Sequence, residues 1–261
     1  MKHIAVKIFA LLLVYATAIT SNASLINFDL LAPNSSSLIN YENQHHNAFS
    51  SSEDGFQIYQ RGVDSNIAAS LLDDSNIAAS DSLGIIDSNN HQNFFGIVDT
   101  VNPDNPTTFA TATWQIDISN LTMLTFLIDM AAMGDFEDSD EFWWRYSIDN
   151  APLVTVFQGL TDESTSYDYT LESGSEISLS DPISVDSVLL NNEFQHFSSA
   201  LAGSGNLLTL ELTAKVNGGS EAIAFQNVQL QGSLQNISVN EPNVLPILLL
   251  ALALLFRKTG G

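Results

Sequence analysis

Five carboxylates fall within the seven residues Asp135-Phe136-Glu137-Asp138-Ser139-Asp140-Glu141. Like charges this close repel unless water or a hard cation spreads them, and calcium takes about six to eight oxygen ligands. Glu137 and Asp140, with Asp138 between them, are the candidate ligands. The run lacks the glycine and spacing of an EF-hand loop, so a solvated loop between strands is the competing reading. Trp143 and Trp144 follow at once. Neighbours on a strand face opposite ways, so Trp144 is expected in the core with Phe142 and Tyr146, leaving Trp143 exposed. An exposed ring of that kind stacks on sugars. Paired carboxylates about 5–10 Å apart can hydrolyse glycosides, but in a chain this acidic some pair meets that spacing by chance. His45-His46 would face opposite ways on a strand, and His91 and His196 stand alone. No Gly-x-Ser-x-Gly, phosphate-binding loop or His-Glu-x-x-His motif is present, and no catalytic residue is assigned.

The 261 residues carry 7 Lys+Arg against 30 Asp+Glu, a net charge of −23, and no cysteine. Nucleic-acid binding is excluded as a first reading, because phosphate contacts need clustered cations. A disulfide scaffold, a thiol nucleophile and a Cys-ligated metal are excluded as well. A hydrophobic fraction of 45% is enough for a sizeable core.

The two ends read as address signals. Lys2 and Lys7 precede an apolar stretch from Ile8 to Ile19, and Ser21-Asn22-Ala23 supplies small residues. This is a secretory signal over 1–23, cut by signal peptidase between Ala23 and Ser24. At the other end Val244–Phe256 is an apolar run of 13 residues followed by Arg257-Lys258. As a helix it covers about 20 Å, short of a ~30 Å hydrocarbon core, and its basic flank stays cytoplasmic. Residues 24–240 keep Arg61, Arg145 and Lys215 against 29 acids, a net charge of −26. Such a surface repels polyanions and attracts divalent ions.

The C-terminal parts in order are Val239-Asn240-Glu241-Pro242, the apolar run, and Arg257-Lys258. They resemble the PEP-CTERM sorting signal of Gram-negative bacteria, with Asn240 where that family usually has proline. The resemblance implies an exosortase-like membrane protease that cuts near Glu241-Pro242. The protein would be anchored transiently in the inner membrane, then released or transferred to the cell surface, outer membrane or matrix. A retained anchor is the alternative.

The middle reads as strands. From Ser24 to about Ser82 long apolar patterns are few, and Asp64–Ser70 recurs as Asp74–Ser80, a duplication expected in an exposed loop. Leu25–Leu31 and Gly55–Tyr59 are candidate strands. From Phe94 onward period-two patterns dominate: Trp114, Ile116 and Ile118; Phe142, Trp144, Tyr146 and Ile148; Leu208, Leu210, Leu212 and Ala214. Glu221–Leu230 alternates with one slip at Gln226-Asn227. Period two marks one buried and one wet face. Many short strands without helical periodicity predict an all-β, two-sheet antiparallel sandwich. Its N-terminal strands and long loops occupy 24–93 and its core 94–235, followed by a linker and tail over 236–261.

Three segments carry a second likeness: Phe136–Phe142, then Tyr146-Ser147-Ile148-Asp149, then Gly218–Val228 with Gly232. They resemble a jelly-roll, carbohydrate-binding-like module of secreted bacterial proteins. That resemblance implies a structural calcium held in part by an acidic residue on the last strand, where this chain has Gln226. The implied ligand set is Glu137, Asp138, Asp140 and Gln226. The expected function is an exported surface or matrix protein, structural or polysaccharide-binding. The alternative is a secreted glycan hydrolase using paired carboxylates.

Overall fold

The computed structural model describes residues 25–32, 38–74, 83–105 and 109–235. The strands run in chain order as β1 (Leu25–Asp29), β2 (Leu38–Asn43), β3 (Gly55–Gln60), β4 (Asn93–Val98), β5 (Ala110–Asp117), β6 (Leu121–Gly134), β7 (Glu141–Ile148) and β8 (Val154–Thr161). They continue as β9 (Ser166–Thr170), β10 (Glu176–Ser180), β11 (Ile183–Val185), β12 (Val188–Leu189), β13 (Gln195–Ala200), β14 (Leu207–Lys215) and β15 (Glu221–Leu234).

Sheet I has the order β13-β6-β15-β4-β3, and sheet II the order β12-β11-β8-β7-β14-β5-β2. Both are antiparallel throughout. The pairings β4 with β15, β5 with β14, β6 with β13 and β7 with β8 are the four rungs of one long hairpin. Alternate rungs fall in opposite sheets, which is the winding of a jelly roll. The all-β sandwich expected from period-two patterning is the fold found. The expected terminal helices lie outside the described residues.

The core follows from parity. Trp114 and Ile116 of β5, Phe142 and Trp144 of β7, and Leu208, Leu210 and Leu212 of β14 all face inward and are buried. Aromatic rings cross the gap between the sheets: Phe95 to Trp114 at 5.9 Å, Phe126 to Trp144 at 5.3 Å, and Phe225 to Trp144 at 5.4 Å. Gly159 leaves room for the Phe142 ring, which meets Phe225 across the gap at 5.1 Å, since a Cβ there would lie 2.1 Å from Phe142 Cε1. Gly159→Ala is therefore expected to cost about 1–3 kcal/mol by overpacking, measured as a lower urea midpoint.

The middle of sheet I is buried on both faces. Phe95 and Ile97 join the core between the sheets, while Phe94 and Val98 join a second cluster on the outer side. β6 and β15 divide the same way, with Met130 and Ala132 inward and Ala131 and Met133 outward. Two elements cover that outer face. One is the β9–β10 hairpin, through Tyr169 and Leu171; the other is the stretch around Ala68, Leu71, Ile85 and Ile86. The first copy of the repeated heptapeptide is thus no free loop: its Ala68 is fully buried. The second copy beyond Asp74 lies outside the described residues.

The slip at Gln226-Asn227 is a β-bulge. Asn227 has φ 47°, and two residues of β15, Asn227 and Val228, oppose one of β6, Ile128, between the pairs Gln226–Asp129 and Gln229–Leu127. The extra residue switches parity. Phe225 before it and Val228 and Leu230 after it all face the same core.

Candidate functional site

The acid-rich run is the turn between β6 and β7. Phe136 is buried in the core and anchors it, and the turn is tied on all sides by backbone groups. The Glu137 N–H donates to Asp140 Oδ2 at 2.8 Å, the Asn217 N–H donates to Asp140 Oδ1 at 3.1 Å, and Thr161 Oγ1 donates to the Glu137 carbonyl at 2.9 Å. Asp140 is only 1% exposed. A third acid completes the cluster. Glu221 heads β15, opposite Gly134 at the end of β6, and is 3% exposed. One carboxylate oxygen from each of Glu137, Asp140 and Glu221 lies within 4.8 Å of the others. Glu221 accepts the Gly218 N–H and packs closely against that glycine, where a Cβ would lie 2.1 Å from Glu221 Oε1. Its Oε2 is buried with no hydrogen-bond partner.

Burial pushes the Glu221 carboxyl up to about 8, with the charges of Asp140 and Glu137 adding to the rise. Burial, together with the hydrogen bond and charge shared with Glu137, raises Asp140 to about 6. An all-carboxylate donor set, two members of it buried, is the chemistry that hard cations take.

The fold thus assembles only part of the ligand set expected from sequence. Glu137 and Asp140 meet, but Asp138 is exposed beside them, its N–H on Glu163 Oε1 at 3.2 Å. Gln226 does not join them. It sits opposite Asp129, about 17 Å along β15 from Glu221 at the rise of a strand, and its Nε2 donates to Asn90 Oδ1 at 3.0 Å. An ion held by Glu137 and Asp140 is therefore out of its reach. The acid that the last strand contributes is instead its first residue, Glu221. A charged residue heading the apolar stretch Ala222–Phe225 was the available signal.

The outer face of sheet II is polar around one aromatic ring. Cross-strand register sets Thr111, Thr213, Trp143 and Gln158 in one row, and Thr113, Glu211 and Arg145 in the next. Trp143 is half-buried rather than exposed. Phe109 lies 6.1 Å from it and the Arg145 guanidinium carbon 5.0 Å above its ring. Arg145 Nη2 also donates to Glu211 Oε1 at 2.6 Å. Three polar atoms here have no hydrogen-bond partner: Trp143 Nε1, Arg145 Nε and Thr213 Oγ1.

The histidines do not gather. The His45 ring lies 6.0 Å from Phe49 and 5.8 Å from Phe56, and His196 Nδ1 lies 2.7 Å from Asp129 Oδ1. A cleft of about 310 Å³ beside β3 is lined by Asn47, Ser50, Asp54, Gln57, Tyr59 and Asn66 among others, and Asp54 is its single carboxylate. The cleavage pair Ala23 and Ser24, and the sorting residues Val239, Glu241, Pro242, Arg257 and Lys258, lie outside the described residues. Among the described residues no helix is long and apolar enough to cross a membrane. Comparison with known proteins finds no family model and no curated protein that matches the chain.

Proposed function

We propose that the chain is an exported, non-catalytic β-sandwich of the cell surface or extracellular matrix that binds polysaccharide and is sorted by its C-terminal tail. The observation that carries the binding reading is the cluster on the outer face of sheet II. Trp143 is half-buried in a row with Thr111 and Gln158, and Arg145 and Glu211 in the next row offer a donor and an acceptor side by side. A partly exposed aromatic ring flanked by hydroxyl, amide and charged groups is the surface chemistry that sugar rings and their hydroxyls contact. Threonine and glutamine side chains extend the polar surface across neighbouring strands. The net charge of −23 disfavours polyanions, so a neutral hexose polymer is the ligand class.

On an array of neutral and acidic polysaccharides the protein is expected to retain neutral glycans. Trp143→Ala should weaken that retention by up to about tenfold, the scale of one lost aromatic contact. Retention confined to acidic glycans, or undiminished in Trp143→Ala, would sink this assignment. Intact-mass measurement of the protein from its native cells tests the sorting half, by showing whether the chain ends near Ser24 and Glu241.

A further inference from the structure

We propose that Glu137, Asp140 and Glu221 form a calcium site that fastens the β6–β7 turn to the head of β15. It keeps Glu137 and Asp140 of the set expected from sequence and has Glu221 in place of Asp138 and Gln226. It is also independent of the glycan reading, which rests on the opposite side of sheet II from the core.

The orphaned atom is the first reason. Glu221 is 3% exposed and its Oε2 has no hydrogen-bond partner, a costly state for a carboxylate unless a cation or a proton meets it. The second is spacing. Ligands at about 2.4 Å from a calcium ion put opposite oxygens about 4.8 Å apart, and the three carboxylate oxygens lie within 4.8 Å of one another. Magnesium demands near-ideal octahedral geometry and gives up its waters reluctantly, so three protein carboxylates suit calcium better. The third is preorganisation. Backbone N–H groups of Glu137, Asn217 and Gly218 hold the two buried carboxylates from behind. Glu137 is exposed, which gives the ion an entry path and leaves room for water in the remaining positions. The fourth is charge. Among the described residues the ion pairs are Arg61–Asp74, Arg145–Glu211 and His196–Asp129, and none of them involves the three acids.

The test uses the full 261-residue chain in detergent micelles, stripped with a chelator and then titrated with calcium chloride or magnesium chloride. Calcium at about a hundred times its dissociation constant is expected to raise the melting temperature by about 5–10 °C, and magnesium to raise it by much less. Glu221→Gln should lower calcium affinity on the order of 100-fold and abolish the shift. In chelator that variant should melt no lower than the wild type, because a neutral side chain removes repulsion. Glu137→Gln, at an exposed position, should weaken calcium in a fold that does not depend on it. Asp138→Asn should keep the full shift. A wild type whose melting ignores calcium, a shift that survives in Glu221→Gln, or an equal response to magnesium overturns the assignment.

Discussion

Trp144→Ala is expected to lower stability by about 4 kcal/mol, within the 3–5 kcal/mol range of buried Trp truncations and a large part of what a domain of this kind has to lose. The ring is fully buried. It meets Trp114 at 5.4 Å within sheet II, and Phe126 and Phe225 of sheet I at 5.3 and 5.4 Å. Truncation opens a cavity between the two sheets, among Trp114, Phe126 and Phe225. Urea denaturation should show a lower midpoint with an unchanged slope. Trp144→Phe is the control. Trp144 Nε1 has no hydrogen-bond partner in that core, so phenylalanine keeps most of the packing and deletes an unsatisfied donor. The equivalent change at Trp114 should cost more, because Trp114 Nε1 donates to the Leu30 carbonyl at 3.0 Å and that carbonyl would lose its partner. If Trp144→Phe proves as damaging as Trp144→Ala, ring packing is not what Trp144 supplies.

In chelator, stability should fall as pH rises from about 4 to about 9. Glu221 is held near 8 in the fold against an ordinary 4.5, and Asp140 near 6 against 3.8. Between each pair of values the folded chain keeps a proton that the unfolded chain has released. The slope of stability with pH is then negative. The contribution is fully present below about pH 4. It is lost as pH passes 6 for Asp140 and 8 for Glu221. At about 1.4 kcal/mol per unit, the Glu221 contribution is at most about 5 kcal/mol, and solvent screening lowers it. General repulsion in so acidic a chain slopes the same way, so the decisive comparison is Glu221→Gln, which should remove the decline above about pH 6. Melting curves across this range measure it, and a wild type whose stability climbs from pH 6 to 8 in chelator would contradict the burial of these acids. With calcium present the wild-type curve should flatten, since the ion replaces the protons.

The strands that wet one face were legible in sequence: Trp114 and Ile116, Phe142 and Trp144, and Leu208 to Leu212 alternate as expected and are buried as expected. Elements that broke the rule of two were harder. β4 is buried on both faces, so its pattern is an apolar run rather than an alternation. β13 has one inward apolar residue, Phe197, among polar neighbours, and β9–β10 shows its tyrosines only because a second cluster lies behind sheet I. The slip at Gln226-Asn227 was visible because a bulge must shift the apolar phase. For the site, Glu137 and Asp140 were legible because they crowd within one turn. Glu221 was not, because the pairing of β15 with β6 brings it there, and a charge heading an apolar stretch does not say which acids it will meet. The exposure of Trp143 was misjudged for the same kind of reason, since Phe109, well upstream, lies against it.

β1 runs antiparallel to the end of β15, with Leu25 opposite Ser233 and Asp29 opposite Gln229. The chain therefore enters and leaves at the same corner of sheet I. In an antiparallel pair the hydrogen bonds lie across the strands, so a mechanical load applied between those two ends would part them one bond at a time. Tension borne through a single end would leave that zipper closed, and the rest of sheet I would share the strain through the partners of β15.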